Sequence, residues 1–209
     1  MSTHDLSFVH RFVPAQNGDR RTLLLLHGTG GTEDDLLDIG RALLPTAALL
    51  SPRGKVLENG MPRFFRRLRE GVFDVEDLKA RTHELVDFVT AAGIAYEIDA
   101  QKIFAAGYSN GANIAGSTLL LAPGVLRGAV LLRSMVPLVP EQDPDLSSTR
   151  VWMGAGRRDP IVPAENTQRL AQMLQRLGAE VSLRWHAGGH ELARDEIEDA
   201  ATWLGQNFV

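Results

Sequence analysis

The segment Gly107-Tyr108-Ser109-Asn110-Gly111 constrains this chain more than any other. It joins an apolar run, Lys102-Ile103-Phe104-Ala105-Ala106, to a helical stretch of small residues from Ala112 to Leu121. A Gly-x-Ser-x-Gly pentapeptide between a strand and a helix is the pattern of a nucleophile elbow. The turn is tight enough to force the serine into a strained backbone, and its flanking positions must be glycine or small for strand and helix to approach. The Ser109 hydroxyl then projects alone into a cleft. By itself the pentapeptide reads equally as a glycine-rich turn that contains a serine. Three other segments bear on the choice.

Upstream, Thr22 to Leu26 is a continuous apolar run, as expected of a parallel strand buried on both faces, and it leads into His27-Gly28-Thr29-Gly30-Gly31. Such a loop suits an oxyanion hole, because backbone N–H groups stabilise developing negative charge best where side chains do not crowd the approach. The expected donors are the amides of Thr29 and Asn110, the latter following the nucleophile. The competing interpretation is a phosphate cradle at a helix N-terminus. Against it, Glu33 occupies the place of the third fingerprint glycine and no Gly-Lys-Ser/Thr follows.

Downstream, Arg150 to Gly156 reads as a strand ending in glycines, Asp159 follows, and Pro163 opens the helical stretch Ala164 to Leu177. Asp159 thus falls at a strand carboxyl end, where open α/β sheets collect functional groups. Its rival role is to cap the following helix; Asp143 and Asp145, in a proline-rich loop, follow no strand end so directly. Near the C-terminus an alternating strand from Val181 ends at Gly188-Gly189-His190. Among six histidines only His190 has this setting. His4 and His10 belong to the N-terminal segment, His27 shapes the glycine loop, His83 lies on the polar side of a helix, and His186 is still within the strand. The chain order Ser109, Asp159, His190 is the order of nucleophile, acid and base in α/β-hydrolases. A serine hydroxyl needs a base to take its proton, and the base needs a carboxylate to fix its tautomer.

Length and composition narrow the rest. With 209 residues the chain suits one α/β domain, 1–209, rather than two. A net charge of −4 argues against nucleic-acid partners, and the absence of cysteine excludes disulfides, thiolate metal sites and a cysteine nucleophile. No clustered histidines and carboxylates have metal-ligand spacing, so neither metal nor other cofactor is expected. The N-terminal residues lack the regions of a signal peptide, and no run approaches the roughly 18 apolar residues of a membrane span. The expectation is a cytoplasmic protein with no membrane partner.

Phe8 to Val13 reads as a first strand, with Asn17-Gly18 as a hairpin signal joining it to Thr22–Leu26. Thr32-Glu33-Asp34-Asp35 reads as a helix start, Thr46 to Leu50 as a strand, and Asp74 as the cap of a helix to Val89. Strands and helices then alternate, which predicts a mostly parallel sheet with helices on both faces. The irregular insertion at 55–73 is the most distinctive segment. From Arg53 to Gly71 there are six basic residues (Arg53, Lys55, Arg63, Arg66, Arg67, Arg69) against Glu58 and Glu70, interleaved with Met61, Phe64 and Phe65. One interpretation is a solvated face docked to the core by its phenylalanines. The other is a cap presenting aromatic surface and positive charge to an anionic or aromatic ester. On the second interpretation Gly28, Arg53, Phe64, Phe65 and Tyr108 are candidate substrate contacts.

Leu24-Leu25-Leu26-His27-Gly28-Thr29-Gly30-Gly31, Ser51-Pro52-Arg53-Gly54, the Ser109 pentapeptide and Gly188-Gly189-His190 together resemble the phospholipase/carboxylesterase group of α/β-hydrolases, over nearly the whole chain. The stretch Glu58 to Arg67 is most similar to the bacterial branch associated with hydroquinone or aromatic catabolism. The resemblance implies an α/β-hydrolase fold without a large lid domain, a triad of Ser109, Asp159 and His190, cofactor-free hydrolysis of small short-chain or aromatic carboxylic esters, and a homodimer. Acyl-protein thioesterases of the group carry Gln where Asn110 stands, and their long-chain channel is not recognisable in the arginine-rich insertion. Dienelactone hydrolases share the fold but use a cysteine. A thioesterase on the same triad, and a ligand-binding descendant without catalysis, are the alternatives.

Overall fold

The structure, a computed structural model, describes residues 6–208; His4 lies outside them. The first half comprises β1 (His10–Val13), β2 (Thr22–Leu26), α1 (Leu37–Leu43) and β3 (Ala48–Pro52), then four short strands: β4 (Val56–Glu58), β5 (Met61–Arg63), β6 (Arg67–Arg69) and β7 (Val72–Phe73). There follow α2 (Val75–Ala95), β8 (Ile103–Tyr108), α3 (Asn110–Leu121), β9 (Gly128–Leu132), β10 (Arg150–Gly156), α4 (Ala164–Arg176), β11 (Glu180–His186) and α5 (Arg194–Asn207). Among the described residues the main sheet has the order β1-β3-β2-β8-β9-β10-β11. All its pairings are parallel except that of β1 with β3. None of the described helices is long and apolar enough to cross a membrane.

The unbroken apolar runs of the central strands follow from burial on both faces. Because successive strand residues point to opposite sides, Leu24, Leu26, Ala105, Leu131 and Met153 pack with Leu78, Leu85, Phe88, Ile114 and Leu170 from α2, α3 and α4. Their neighbours Leu23, Leu25, Phe104, Val130 and Trp152 pack with Leu43 of α1 and Ile197 and Leu204 of α5. Helices therefore cover both faces, and the parallel strands bring all their carboxyl ends to one edge of the sheet. This is the α/β-hydrolase arrangement.

Three local expectations are corrected. Asn17 and Gly18 do form a left-handed turn, with φ of 54° and 73°, but the strands on either side of it do not pair. Residues His10 to Val13 instead lie against Pro52 to Leu49 of β3, which places β1 at the sheet edge. A main-chain bond from Gln16 to the Thr46 carbonyl helps turn the chain toward that strand. The insertion at 55–73 is also more regular than expected. It consists of two antiparallel hairpins, β4–β5 and β6–β7, the first closed by Asn59-Gly60 with φ of 52° and 80°, the positive pair that such tight turns require. Helix α1 starts later than expected, at Leu37, whereas Asp74 caps α2 as expected by accepting from the Asp77 amide.

Candidate active site

Strand β8 and helix α3 meet at Ser109, whose φ of 53° and ψ of −111° lie in a region that costs a non-glycine residue about 1–3 kcal/mol. The strain is held by the surroundings. The Ser109 amide donates to the Leu132 carbonyl at 2.8 Å, and a side chain at Gly111 would overlap the Leu26 carbonyl, so α3 can seat on β2 only with glycine there. The elbow thereby lifts the Ser109 hydroxyl to the carboxyl-end edge of the sheet.

His190 and Asp159 reach the same point from the loops after β11 and β10. Nε2 of His190 is 3.0 Å from Ser109 Oγ, and Nδ1 is 2.8 Å from Asp159 Oδ2. A carboxylate only accepts, so Nδ1 carries the proton and Nε2 offers its lone pair to the serine hydroxyl. Asp159 is buried, and its other oxygen accepts from the amides of Ile161 and Val162 at 2.8 and 3.0 Å. That second oxygen holds the turn before α4 but does not cap the helix as the rival expectation had it, since α4 begins after Pro163 with no side-chain cap bond. His186 packs near Glu196, and His83 is exposed on α2.

The glycine loop lies beside the elbow. Neither the Thr29 nor the Asn110 amide has an acceptor among the described residues. His27 shapes the loop from behind: its Nδ1 donates to the Gly28 carbonyl at 2.6 Å, and its Nε2 accepts from the Gly54 amide at 2.9 Å. Burial holds this imidazole below its ordinary pKa and therefore neutral. The Asn110 side chain faces the insertion, its Oδ1 accepting from the Phe64 amide at 2.7 Å.

A cavity of about 220 Å³ opens over Ser109, walled by Thr29, Tyr108, Asn110, Asn113, His190, Met135, Ile161 and Val162, by Arg133, and by Arg63, Arg67, Glu70, Gly71 and Phe73 of the insertion. Tyr108 is thus on the wall, and its hydroxyl donates to the His190 carbonyl at 3.0 Å. The other four candidate contacts are not. Gly28 packs against the Tyr108 ring, where a Cβ would stand 2.8 Å from a ring carbon. Arg53 is turned to Glu33, which it grips through Nε and Nη2 and holds below the usual carboxylate pKa. Phe64 and Phe65 are core residues, the former against the His27 ring and the latter edge-on to Phe73. The phenylalanines dock the insertion by burying two aromatic rings in the core.

Arg133 is the most consequential residue missing from the sequence-derived set. It follows β9 with φ of 59°, its side chain is 1% exposed, and both its terminal nitrogens bind the fully buried carboxylate of Glu196. It also donates through Nε to the Gly189 carbonyl at 2.9 Å and through Nη2 to that of Glu191 at 2.7 Å, so it grips the backbone on both sides of His190. The signal that marks Asp159, a polar residue just past a strand carboxyl end, also marks Arg133. Arg63 and Arg67 carry no such signal within a run of four arginines, since only the pairing of β4 with β5 and of β6 with β7 separates them from the exposed Arg66 and Arg69.

Over most of its length the chain is similar to known proteins. MhqD of Bacillus subtilis (strain 168), a hydrolase by name, is 49% identical over 187 residues, which is 90% of this chain and 94% of that protein. The crystal structure of a Bacillus cereus carboxylesterase superimposes with a TM-score of 0.94 at 44% identity, covering 97% of this chain and 95% of that one. Acyl-protein thioesterase 1 of Debaryomyces hansenii is more distant, 27% identical over 62% of this chain and 55% of its own length. Residues 10–207 match the phospholipase/carboxylesterase family, and this chain belongs to that family of α/β-hydrolases.

Proposed function

We propose that this hydrolase is a serine carboxylesterase that cleaves small, short-chain or aromatic esters through an acyl-enzyme. The observation that carries the proposal is the continuous chain from Ser109 Oγ through His190 to Asp159, at 3.0 and 2.8 Å, seated on a strained elbow. Ser109 attacks the ester carbonyl while His190 Nε2 takes its proton, and Asp159 steadies the imidazolium that forms. The amides of Thr29 and Asn110 receive the negative charge on the carbonyl oxygen. His190 returns the proton to the departing alcohol, and water repeats the sequence on the acyl-enzyme. The small volume of the cavity supports short rather than long acyl chains.

The test pairs labelling by a fluorophosphonate probe with hydrolysis of p-nitrophenyl acetate, butyrate and octanoate, in the native protein and in Ser109→Ala. Labelling and turnover disappear together in a folded variant, leaving only a residual rate of about a thousandfold or somewhat more over water from the oxyanion donors, and octanoate is the poorest of the three esters. Full ester turnover in folded Ser109→Ala would remove the serine from its role, and a folded native protein that is never labelled would favour a ligand-binding descendant of the fold.

A further inference from the structure

On the insertion two guanidinium groups share one carboxylate, that of Glu58. Arg67 donates to Glu58 Oε1 from Nε at 2.8 Å and lies 2.7 Å from it through Nη2, while Arg63 Nε stands 3.3 Å from Glu58 Oε2. Glu58 alone therefore cannot neutralise both guanidinium groups. Arg63 is the more telling of the pair. Its side chain is 3% exposed, yet it lines the cavity, and its remaining bonds go to neutral acceptors: Nη1 to Thr29 Oγ1 at 2.6 Å and Nε to the Phe65 carbonyl at 3.2 Å. Nη2 of Arg63 and Nη1 of Arg67 have no acceptor among the described residues. Nδ2 of Asn110, on the same cavity, is likewise buried without a partner.

Arg133 is matched by Glu196 beneath the His190 loop, and Asp159 faces His190. Glu70, on the same wall as the arginines, is exposed to solvent, where water and salt screen its charge. Arg63 is desolvated already, and burial draws its pKa downward. A guanidinium fixed in place and stripped of water binds an anion more strongly than a surface arginine does.

We infer that the site is built for esters that carry a carboxylate, held by Arg63 and Arg67 next to the oxyanion loop while Ser109 attacks the ester carbonyl. This rests on the esterase reading above and narrows it to a substrate class. The carboxylate belongs to the acyl group or to the alcohol, two sources that one experiment separates.

The experiment compares kcat/KM for two matched pairs, by pH-stat at low ionic strength. For the acyl side the pair is monoethyl succinate and ethyl 4-methylpentanoate; for the alcohol side it is 4-acetoxybenzoate and 4-isopropylphenyl acetate. In each pair an isopropyl group replaces the carboxylate at nearly constant shape. The native protein favours the charged member of at least one pair by about tenfold or more, as charge-assisted hydrogen bonds at a partly buried site allow. In Arg67→Gln, which leaves Arg63 and Glu58 as a neutral pair, that preference falls about tenfold. Arg69→Gln removes the same charge from the same hairpin away from the cavity and leaves the preference intact. Circular dichroism checks that each variant is folded. Preference for the neutral member of both pairs, or a preference that survives Arg67→Gln, overturns the inference while the esterase reading stands. Failure of all four esters together with absent fluorophosphonate labelling would overturn both.

Discussion

At the scale of single residues, Arg133 joins stability to geometry more directly than any residue of the triad. It neutralises a carboxylate with no exposure to water, and it supplies the N–H groups that hold the carbonyls flanking His190. Replacing it by methionine leaves Glu196 charged and buried, and breaking such a pair costs about 3–5 kcal/mol. The double variant Arg133→Met, Glu196→Leu removes both charges at similar volume, which is often nearly neutral for stability. The expected outcome is that urea unfolding recovers much of the loss in the double variant, while kcat stays depressed because the His190 loop has lost its donors. Recovery of turnover together with stability would reduce Arg133 to a structural ion. The residue is legible in the sequence only as a polar group past a strand end; that its partners are Glu196, Gly189 and Glu191 depends on the loop after β11 folding back over β9.

At the scale of elements, the insertion departs furthest from what the sequence suggests. Asn-Gly occurs three times in the chain; Asn110-Gly111 opens α3, and the other two make left-handed turns, yet only Asn59-Gly60 closes a hairpin. At Asn17-Gly18 the turn is the same and the pairing is not, because β1 lies beside β3 across the sheet edge rather than against β2, which is enclosed by β3 and β8. Turn chemistry is local, and strand partnership is not. The hairpin β4–β5 is tied to the elbow by the bond from the buried Phe64 amide to Asn110 Oδ1. Asn110→Ala leaves that amide without an acceptor and is expected to destabilise the protein by about 1–3 kcal/mol, read as a lower urea midpoint at unchanged slope. A midpoint equal to that of the native protein would mean that this bond adds nothing to the hold on the insertion.

For the molecule as a whole, His27 ties the glycine loop after β2 to the chain leaving β3. Its pKa is lowered by burial, so below the ordinary value of about 6.5 the unfolded chain takes up a proton that the folded protein refuses. Stability is therefore full above that pH and is lost as pH falls from there toward the lower, folded value. Denaturant unfolding from pH 7.5 to 5 is expected to follow this course, and the slope flattens in His27→Gln, which has no proton to gain; an unchanged slope would assign the dependence to the carboxylates. The homodimer implied by the family resemblance is a proposal of the same scale, and sedimentation velocity tests it as a species of twice 22.9 kDa. The sequence by itself determined the elbow at Ser109, the succession of buried strands and helices, and the strand-end placement of Asp159 and His190, because each is written in a few adjacent residues through apolar periodicity, glycine and proline. Only the tertiary structure decided that β1 pairs with β3, that Phe64 and Phe65 go to the core, and that Arg63, Arg67 and Arg133 stand around the serine. Those outcomes depend on which distant surfaces meet, and burial of aromatic area and pairing of desolvated charge settle that only once the whole sheet is assembled.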